Sequence, residues 1–439
     1  MSGITKRIWI LAAAAALLLA AWVLFRPHPV STDAAGESGS SPENSRAPFR
    51  FVVASDLHYL SPSLNDNGTF FQTMMEEADG KTTEYAEEVT EAFVSEVITL
   101  RPDALVLTGD LTFNGAGKSH EDLAAKLQKV KDAGIPVYVL SGNHDLNSTN
   151  AARFTGDTYE LVPGVTPQEF ESIYAPFGFS DALSKDSASS SYVVSPEPGL
   201  RFLLLDVNGV EQKCRIPEET LSWIEAQLQD AKKAGDLVLS FSHQNLLQHS
   251  LFTDGYVIGN ADALLALYDT YRVPINFTGH LHIQHQAAEG NFHEAATSAL
   301  SISPEHYAVV MVDDTGLSYK TRSVDVAAWS AKQGSTNEDL LSFADWSRST
   351  FLRSSSRSAG IQLDQAGIEN EKKREEMIRY FAEQNYGYFS GAPQKSQSGN
   401  AILKEWEDTG TFTAEYLDDI APARSDQNVL TLSLPQGDS

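Results

Sequence analysis

Two kinds of residue are scarce in this sequence, cysteine and the positively charged residues. Of its 439 residues one is cysteine, Cys214, which excludes an intramolecular disulfide and a metal site built from thiolates. Lys and Arg number 32 against 59 Asp and Glu, so the formal net charge is −27. Nucleic-acid duplexes are bound through basic patches, and no duplex partner is therefore expected. A small anionic ligand stays compatible with this charge, because bound cations would dominate the local field.

Charge of either sign is absent from Ile8–Phe25, a hydrophobic stretch of 18 residues preceded by Lys6 and Arg7. As a helix it would be roughly 27 Å long, close to the thickness of the hydrocarbon core of a bilayer. Positive charge before such a helix predicts that the residues after it are translocated. We therefore predict a signal-anchor helix over residues 1–26, at the cell membrane, with the rest of the chain extracytoplasmic. The alternative is secretion after cleavage of a signal peptide near Ser31–Ala35.

The rest of the chain divides into segments of different character. Residues 27–48 are rich in Ser, Gly and Pro and are predicted to form a disordered tether. From residue 49 onward, buried strand-like runs alternate with stretches of helical periodicity, which is typical of an α/β fold. The strand-like runs are Phe51–Ala54, Ala104–Thr108, Val137–Leu140, Phe202–Leu205, Leu237–Phe241 and Ile275–Phe277. The helical stretches are Tyr85–Leu100, His120–Ala133, Glu218–Ala234 and Ala261–Tyr271.

Towards the C-terminus the pattern changes from strands to helices. Three more strand-like runs extend the first domain, which is predicted over residues 49–330; they are Phe292–Ala299, Tyr307–Val312 and Leu317–Val324. Beyond about Ser335 the periodicity is helical in Leu340–Leu352, Glu369–Gln384 and Ala401–Leu417. We predict a small helical C-terminal module over 335–425, whose protein partner the sequence does not identify, and a flexible tail over 426–439.

One long insertion, Asn147–Ser191, interrupts the first domain and carries several aromatic residues. Insertions of this length in a compact domain are often functional, although a helical decoration is an equal alternative. Tyr159, Tyr174 and Phe177 have two interpretations. They form the insertion's own small core, which is the commoner outcome for such residues, or they stack on a nucleobase.

Side chains that can bind a metal follow the strand-like runs at five separate places. Strand ends are where α/β sheets place their sites, because the sheet fixes the backbone while the loops bring side chains together. Each residue alone could have a purely structural role. His243 could be a core histidine, Asn143 a turn residue and Asp145 a helix cap. Their joint recurrence at strand ends favours a shared site. The residues are Asp56 and His58, Asp110, Asn143 and His144, His243, and His280 and His282.

The donor types at these places are mutually consistent. Carboxylates, an amide oxygen and imidazoles, without a thiolate, suit two divalent ions such as Mn, Fe or Zn. Two ions a few ångströms apart need a shared carboxylate, and Asp110 is central among the candidates. Such a pair binds a hydroxide and phosphoryl oxygens, lowers the pKa of the water and stabilises an in-line displacement.

These blocks resemble, in order and in local context, the signature of the calcineurin-like metallophosphoesterases. The blocks are Asp56-Leu57-His58, Gly109-Asp110, Gly142-Asn143-His144-Asp145, the isolated His243, and Gly279-His280-Leu281-His282. The resemblance covers roughly residues 49–325 and implies a β-sandwich flanked by helices, with 49–330 as the catalytic domain. Five ordered blocks are far more specific than any one of them.

The resemblance also implies a role for each residue. Asp56, His58 and His282 would hold the first metal ion, and Asn143, His243 and His280 the second. Asp110 would bridge both ions. His144 would lie beside the metal ions, near the leaving group, as a general acid, with Asp145 orienting or charging it.

Two departures from the family's other branches narrow the expected substrate. The stretch Leu111–Gly115 lacks the further Asp and Arg residues with which protein phosphatases extend the second block, and Phe113 replaces the tyrosine ligand of purple acid phosphatases. Gly109–Thr112 is instead similar to the class III cyclic-nucleotide phosphodiesterases, as in bacterial surface proteins with a helical C-terminal addition. We therefore expect a phosphodiesterase that acts on cyclic nucleotides or related small-molecule diesters. The alternatives are an extracytoplasmic phosphomonoesterase or nucleotidase, and a non-catalytic cell-surface binding protein.

Overall fold

The computed structural model describes residues 48–434. The predicted signal-anchor helix and all of the predicted tether except Pro48 lie outside these residues, as does the segment 435–439. Within the described range, no helix is both long enough and apolar enough to cross a membrane.

The strands are short and most of them are buried, as the hydrophobic runs of the sequence predict. They are β1 (Phe49–Ala54), β2 (Ala104–Thr108), β3 (Val137–Leu140), β4 (Ala152–Thr155), β5 (Thr158–Leu161), β6 (Ser184–Lys185), β7 (Tyr192–Glu197), β8 (Leu200–Leu205), β9 (Leu237–Ser242), β10 (Ile275–Thr278), β11 (His285–Glu289), β12 (Phe292–Ala296), β13 (His306–Val312), β14 (Gly316–Ser323) and β15 (Val429–Ser433).

Helices connect and cover these strands, and several of their bounds coincide with the predicted ones. They are α1 (Thr69–Glu76), α2 (Ala86–Leu100), α3 (Gly117–Asp132), α4 (Pro167–Ile173), α5 (Glu218–Ala234), α6 (Ala261–Tyr271), α7 (Val326–Lys332), α8 (Glu338–Leu341), α9 (Phe343–Gln365), α10 (Glu371–Phe389), α11 (Ala401–Glu407) and α12 (Phe412–Ile420).

Two large sheets form a sandwich, which confirms the predicted fold class. The first sheet has the order β15-β14-β13-β1-β2-β3 and the second the order β11-β12-β10-β9-β8-β7-β6. In the first sheet β1, β2 and β3 are parallel, and in the second β8, β9 and β10 are parallel. The carboxyl ends of parallel neighbours lie at one edge of a sheet, so each sheet offers a row of loops at its edge.

Aromatic side chains fill the space between the two sheets. The ring of Phe51, from the first sheet, lies 5.0 Å from that of Phe202, 6.1 Å from that of Phe241 and 5.8 Å from that of Phe277, all from the second sheet. Each of these four side chains is fully buried. Such ring pairs stabilise a core beyond the area they bury, so this cluster fixes how the sheets stack.

Helices cover the outer faces of both sheets. On the second sheet, Leu203 and Leu205 point away from the sandwich core and pack with Ile224 of α5 and Leu264 of α6. Leu204, between them in sequence, belongs to the inner core, as the two-residue period of a strand requires. The helices of the first sheet are α2 and α3, whose apolar residues join the inner core cluster.

The helices α9 to α12 surround a separate hydrophobic cluster. Trp406 is completely buried there and donates through Nε1 to the carbonyl oxygen of Met377 at 3.1 Å. The same cluster includes Leu281 and Ile283, which belong to the loop after β10. The helical region thus packs directly on a loop that carries two of the predicted metal ligands.

The structure departs from the predicted secondary structure in several places. The predicted helical stretch Leu340–Leu352 is divided between α8 and α9. The segment Ala401–Leu417 is two helices, because the chain turns at Gly410, which has a φ of 57°. The insertion contains the hairpin β4–β5, which the sequence did not reveal. Residues predicted as a flexible tail form β15, which pairs antiparallel with β14 and contributes Leu432 to the core.

The strand β15 offers a stability test with an internal control. Leu432 is 8% exposed, whereas Val429, in the same strand, is 46% exposed. We expect Leu432→Ala to lower the free energy of unfolding by about 2–5 kcal/mol, as removal of a core leucine does. Val429→Ala should change it by roughly 0.5 kcal/mol or less. Equal effects of the two substitutions in urea denaturation would show that β15 does not contribute to the core.

Candidate metal centre

The predicted donor residues lie on loops at the carboxyl ends of five strands. Three of these strands belong to the first sheet and two to the second, and the stacking of the sheets brings the loops to one place. All seven predicted ligands meet there. They are Asp56 and His58 after β1, Asp110 after β2, Asn143 after β3, His243 after β9, and His280 and His282 after β10.

Four donor atoms form the first group. His58 Nε2 lies 3.1 Å from His282 Nε2 and 3.7 Å from Asp110 Oδ2. His282 Nε2 lies 3.3 Å from Asp56 Oδ1. Ligand atoms around one divalent ion, each about 2.0–2.2 Å from it, are separated by such distances. These residues match the predicted first metal site together with its bridging carboxylate.

The second group shares Asp110 with the first. His243 Nε2 lies 3.3 Å from Asp110 Oδ1 and 3.2 Å from Asn143 Oδ1. His280 completes the group. Because Asp110 offers one oxygen to each group, its carboxylate can bridge two ions.

Backbone carbonyl groups orient two of the imidazoles. His243 Nδ1 donates to the carbonyl oxygen of Thr108 at 2.8 Å, which leaves Nε2 free to accept a metal ion. His280 Nε2 donates to the carbonyl oxygen of Gly255 at 2.9 Å, which leaves Nδ1 free. Hydrogen bonds of this kind fix the tautomer of a metal-binding histidine and the direction of its ring.

The backbone at the site is strained. Asp56, His58, Asp110, His280 and His282 all have positive φ angles, between 44° and 69°. This left-handed region is uncommon for residues other than glycine, and it concentrates at functional sites where the surrounding structure enforces it. Five of the seven predicted ligands are held in this way.

Two glycines allow the loops to approach the carboxylates closely. A Cβ atom at Gly142 would overlap the carboxylate of Asp110, and one at Gly279 would overlap that of Asp56. Close packing therefore requires the glycine that precedes each of Asn143 and His280.

Electrostatics place the carboxylates in the ionised form that binds metal. Burial alone would raise the pKa of Asp110, but the imidazoles of His243 and His144 outweigh it and hold this pKa well below its usual range. Burial, reinforced by Lys81, keeps the pKa of His58 low, so its imidazole is neutral. Neutral imidazole and ionised carboxylate are the forms that bind a divalent ion.

Two further observations fit a pair of cations. Burial would lower the pKa of His243, yet the adjacent Asp110 raises it to about 9. An imidazolium at His243 would therefore offset the negative charge of Asp110, which is the role that a metal ion would otherwise have. Asp56 Oδ1 is buried and makes no hydrogen bond within the described part of the chain. Buried carboxylate oxygens are ordinarily satisfied, and a cation would satisfy this one.

His144 lies at the rim of the site. Its Nδ1 donates to the carbonyl oxygen of Phe113 at 2.9 Å, and its Nε2 lies 3.8 Å from Asp110 Oδ2. The ring is partly exposed and stands edge-on to that of His58, at 4.8 Å between centroids. It is therefore beside the donor groups and open to a substrate, as the resemblance implies.

Asp145 does not have the predicted contact with the His144 imidazole. Its buried carboxylate accepts hydrogen bonds from the backbone N–H groups of Leu111, Thr112 and Gly142, at 3.0, 2.9 and 2.8 Å. These bonds tie the loop after β2 to the loop after β3. The carboxylate has no oxygen left for His144, so its role is to brace the loops that carry Asp110 and Asn143.

Several residues near the site were not found by sequence reasoning. Asp79 Oδ2 lies 3.9 Å from His282 Nδ1 and pairs with Lys81. The ring of Tyr256 lies against that of His280 at 4.9 Å. None of these follows a strand or belongs to a motif, so no sequence signal marks them.

His285 lies apart from the donor groups. It follows His282 by three residues, but its Nδ1 lies 3.1 Å from His249 Nδ1, and His249 in turn contacts the buried Glu294 at 3.1 Å. Although His285 is near His282 in sequence, it therefore belongs to a separate polar cluster with His249 and Glu294.

A cavity of about 590 Å³ opens directly beside Asn143 and His144. Its wall includes Asn114, which follows Phe113 in the loop after β2, and apolar residues of α1 and of the β4–β5 hairpin. Of the described residues that line it, none is Asp, Glu, Lys or Arg.

Comparison with known proteins places this site in a family. Residues 49–284 match the family model of the calcineurin-like phosphoesterases, and residues 325–426 match the C-terminal domain of cyclic nucleotide phosphodiesterase. The first match contains every predicted ligand, and the second coincides closely with the helical region.

Individual proteins are more distant. A protein named sphingomyelin phosphodiesterase 2, from Caenorhabditis elegans, is 28% identical over 162 residues, which are 32% of this chain and 25% of that protein. The chain thus matches about a quarter of the length of that relative.

Solved structures of other proteins resemble this chain at still lower sequence identity. A dimetal phosphatase from Danio rerio aligns with a TM-score of 0.46 at 15% identity, over 63% of this chain and 96% of its own. GAP50, the anchor in the inner membrane complex of Plasmodium, aligns with a TM-score of 0.37 at 13% identity, over 64% and 85%. The family model covers more than half of the chain, from β1 to the last of the predicted ligands. This chain therefore belongs to the calcineurin-like phosphoesterase family.

Proposed function

We propose that the protein hydrolyses phosphodiesters. The observation that carries this proposal is the uncharged wall beside His144. A phosphomonoester dianion needs cationic side chains around it in addition to the metal ions, whereas a diester has one negative charge and a second organic substituent. Phe113 and Asn114 border the site after the bridging Asp110, and none of the described residues that line the cavity beside them is a Lys or Arg that could clamp a dianion.

Sequence similarity also supports this proposal. The helical region matches a domain that is described in cyclic nucleotide phosphodiesterase, and the curated relative is named as a phosphodiesterase. A cyclic nucleotide or another small diester is therefore the expected substrate class.

The described residues fit two divalent ions. Asp56, His58 and His282 would hold one ion, with Asn143, His243 and His280 holding the other and Asp110 bridging them, as deduced from the two donor groups. When bound, the ions would supply a nucleophile from water and offset the negative charge of the phosphoryl oxygens.

His144 would protonate the departing oxygen. Its Nδ1 is engaged with the carbonyl oxygen of Phe113, so the proton available for transfer is on Nε2, the atom that faces the site. An imidazole is suited to this task because it gains and loses a proton near neutral pH.

A substrate comparison tests the proposed class. With Mn-loaded protein we expect kcat/KM to be higher for a chromogenic diester than for the matching monoester, by roughly tenfold or more, because the site lacks a clamp for the dianion. A preference for the monoester would identify a phosphomonoesterase instead. Metal-loaded protein without activity on either class would favour a binding protein.

The bridging carboxylate gives a test of metal binding. Asp110→Asn keeps the side-chain volume but removes a charge from both donor groups, so we expect bound metal to fall well below that of the wild type and activity to be lost. The exposed Asp230→Asn, on α5, serves as the control and should bind metal normally. Metal per chain is measured by plasma mass spectrometry, and circular dichroism checks the fold. Wild-type metal content in Asp110→Asn would contradict the bridging role.

The role of His144 is tested by the leaving group. A nitrophenolate departs without a proton, whereas an alkoxide needs one. We expect His144→Ala to leave a nitrophenyl diester nearly unaffected and to slow an alkyl diester by roughly 10²–10⁴-fold, the usual contribution of a general acid.

Metal occupancy has to be held constant in this comparison. The hydrogen bond that His144 makes to Asp110 Oδ1 comes from its backbone N–H, which alanine retains, so metal content should not change. Equal losses on both substrates, together with reduced metal content at saturating metal, would show that His144 only supports the loop.

A further inference from the structure

The cavity beside His144 is built by two elements outside the family's motifs. One is the hairpin β4–β5 within the insertion, and the other is α1, which precedes the second block. Asp66 joins them, because its carboxylate accepts the backbone N–H of Gly156 in the hairpin turn at 2.9 Å. The phenyl ring of Phe70, on α1, lies 5.2 Å from the ring of Tyr159 on β5.

The hairpin presents an apolar face to this cavity. Phe154 pairs with Tyr159 and Ala152 with Leu161, and directly paired residues lie on the same face of a ladder. All four line the cavity. The opposite face is polar and carries an ion pair between Arg153 and Glu160 at 3.1 Å.

Two of the apolar side chains on this face are not buried in a hydrophobic core. Tyr159 is 52% exposed and Leu161 is 66% exposed, whereas Phe154 beside them is buried. Tyr174 and Phe177, the other aromatic residues singled out in the insertion, are fully packed in the main core. The expectation of a core position is thus confirmed for Tyr174 and Phe177, although in the main core, whereas Tyr159 stays exposed at the cavity.

Asn114 adds a polar group to the cavity wall. Its side chain is buried, and its Nδ2 donates to the carbonyl oxygen of Ala152 at 3.4 Å. Its Oδ1 makes no hydrogen bond within the described part of the chain. A buried acceptor without a partner is costly, and a donor group on a bound molecule would relieve that cost.

The position of the cavity defines which part of a substrate enters it. Asn143 and His144 form its inner end, so the group bonded to the oxygen that His144 faces points into it. The size of the cavity lies within the range of small-molecule sites. Its described lining has no charged side chain, which disfavours a second phosphate or a carboxylate there.

We propose that this cavity is the leaving-group subsite, and that it binds an uncharged alcohol with an apolar body. The proposal rests on the proposed phosphodiesterase function and specifies its substrate. In the reaction, the oxygen of one water molecule forms a bond to phosphorus, and the bond from phosphorus to the ester oxygen breaks. The departing oxygen takes up a proton and becomes a hydroxyl group. An open diester thus yields a free alcohol and a phosphomonoester, and a cyclic diester yields one phosphomonoester that carries the new hydroxyl. A nucleoside and a long-chain lipid alcohol share this chemistry.

The experiment uses methyl phosphodiesters that differ only in the second alcohol. The alcohols are ethanol, 2-phenylethanol, decanol and adenosine through its 5′-hydroxyl, all of them primary, so that the chemistry of departure is comparable. Release of each alcohol is measured separately from release of methanol, with the full chain at saturating Mn. For the wild type we expect kcat/KM for the phenylethyl ester to exceed that for the ethyl ester by roughly tenfold or more, since each methylene in an apolar pocket contributes appreciably.

Variants on the two faces of β5 test whether the preference for the phenylethyl ester arises in this cavity. Tyr159→Ala and Leu161→Ala should each lower the ratio of the phenylethyl to the ethyl value by roughly threefold to tenfold, in proportion to the apolar contact removed. Thr158→Ala is the matched control, because Thr158 is exposed on the opposite face of the same strand. It should leave the ratio as in the wild type.

The outcomes separate this inference from the function on which it rests. A wild-type ratio near one, or equal ratios in Tyr159→Ala and Thr158→Ala, would overturn the subsite while the phosphodiesterase function stands. If the diesters are inert and monoesters of the same alcohols are cleaved, the diester assignment fails, and the same ratio measured on the monoesters decides the subsite. A higher value for adenosine than for decanol identifies a nucleoside as the leaving group, and the reverse identifies a lipid alcohol.

Discussion

The candidate site depends on one constraint, the stacking of two sheets whose parallel strands end at a common edge. Asp56 and Asp110 come from the first sheet, and His243 and His280 from the second. Neither sheet alone holds a complete set of donors for either ion. The aromatic contact between the sheets, centred on Phe51, fixes how the sheets stack. It therefore also fixes the distances between the donor atoms, which lie beyond the ends of the strands. Left-handed backbone at five of the ligands shows that the loops adopt a costly conformation which the packing enforces.

Buried charge is the second condition on this site. Two carboxylates lie close together here, and although burial would raise their pKa values, the imidazoles around them outweigh this effect and lower the pKa of both Asp56 and Asp110. Asp145 brings a third buried carboxylate close by, but uses it to hold the loops after β2 and β3 together. A site of this composition favours cations on electrostatic grounds, before any particular metal is considered.

The sequence predicted the site better than it predicted the surroundings of the site. Strands β2 and β3 have the predicted bounds, and the donors follow recognisable strands in short blocks, so both position and identity could be read from the chain. The carbonyl oxygen of Gly255 orients His280 through backbone alone, which leaves no trace in residue type. Tyr159 and Tyr174 look alike in sequence, but Tyr159 is exposed on β5 whereas Tyr174, directly after α4, is buried in the main core, and no residue pattern distinguishes them. Strand β15 was missed because its flanks are polar and its partner strand lies about a hundred residues earlier in the chain.

The placement of β15 has a consequence for biosynthesis. Gln427, just before this strand, accepts hydrogen bonds from Gln284 and Gln286 at the start of β11, immediately after His282. These contacts cannot form until residue 427 has left the ribosome. By then all the other strands of both sheets have already been synthesised, since the last of them ends at Ser323. A nascent chain that already contains every predicted metal ligand therefore still lacks these hydrogen bonds to the segment that follows His282. A chain that terminates before β15 would carry all seven predicted ligands without the strand and the hydrogen bonds that hold the segment after His282 in place.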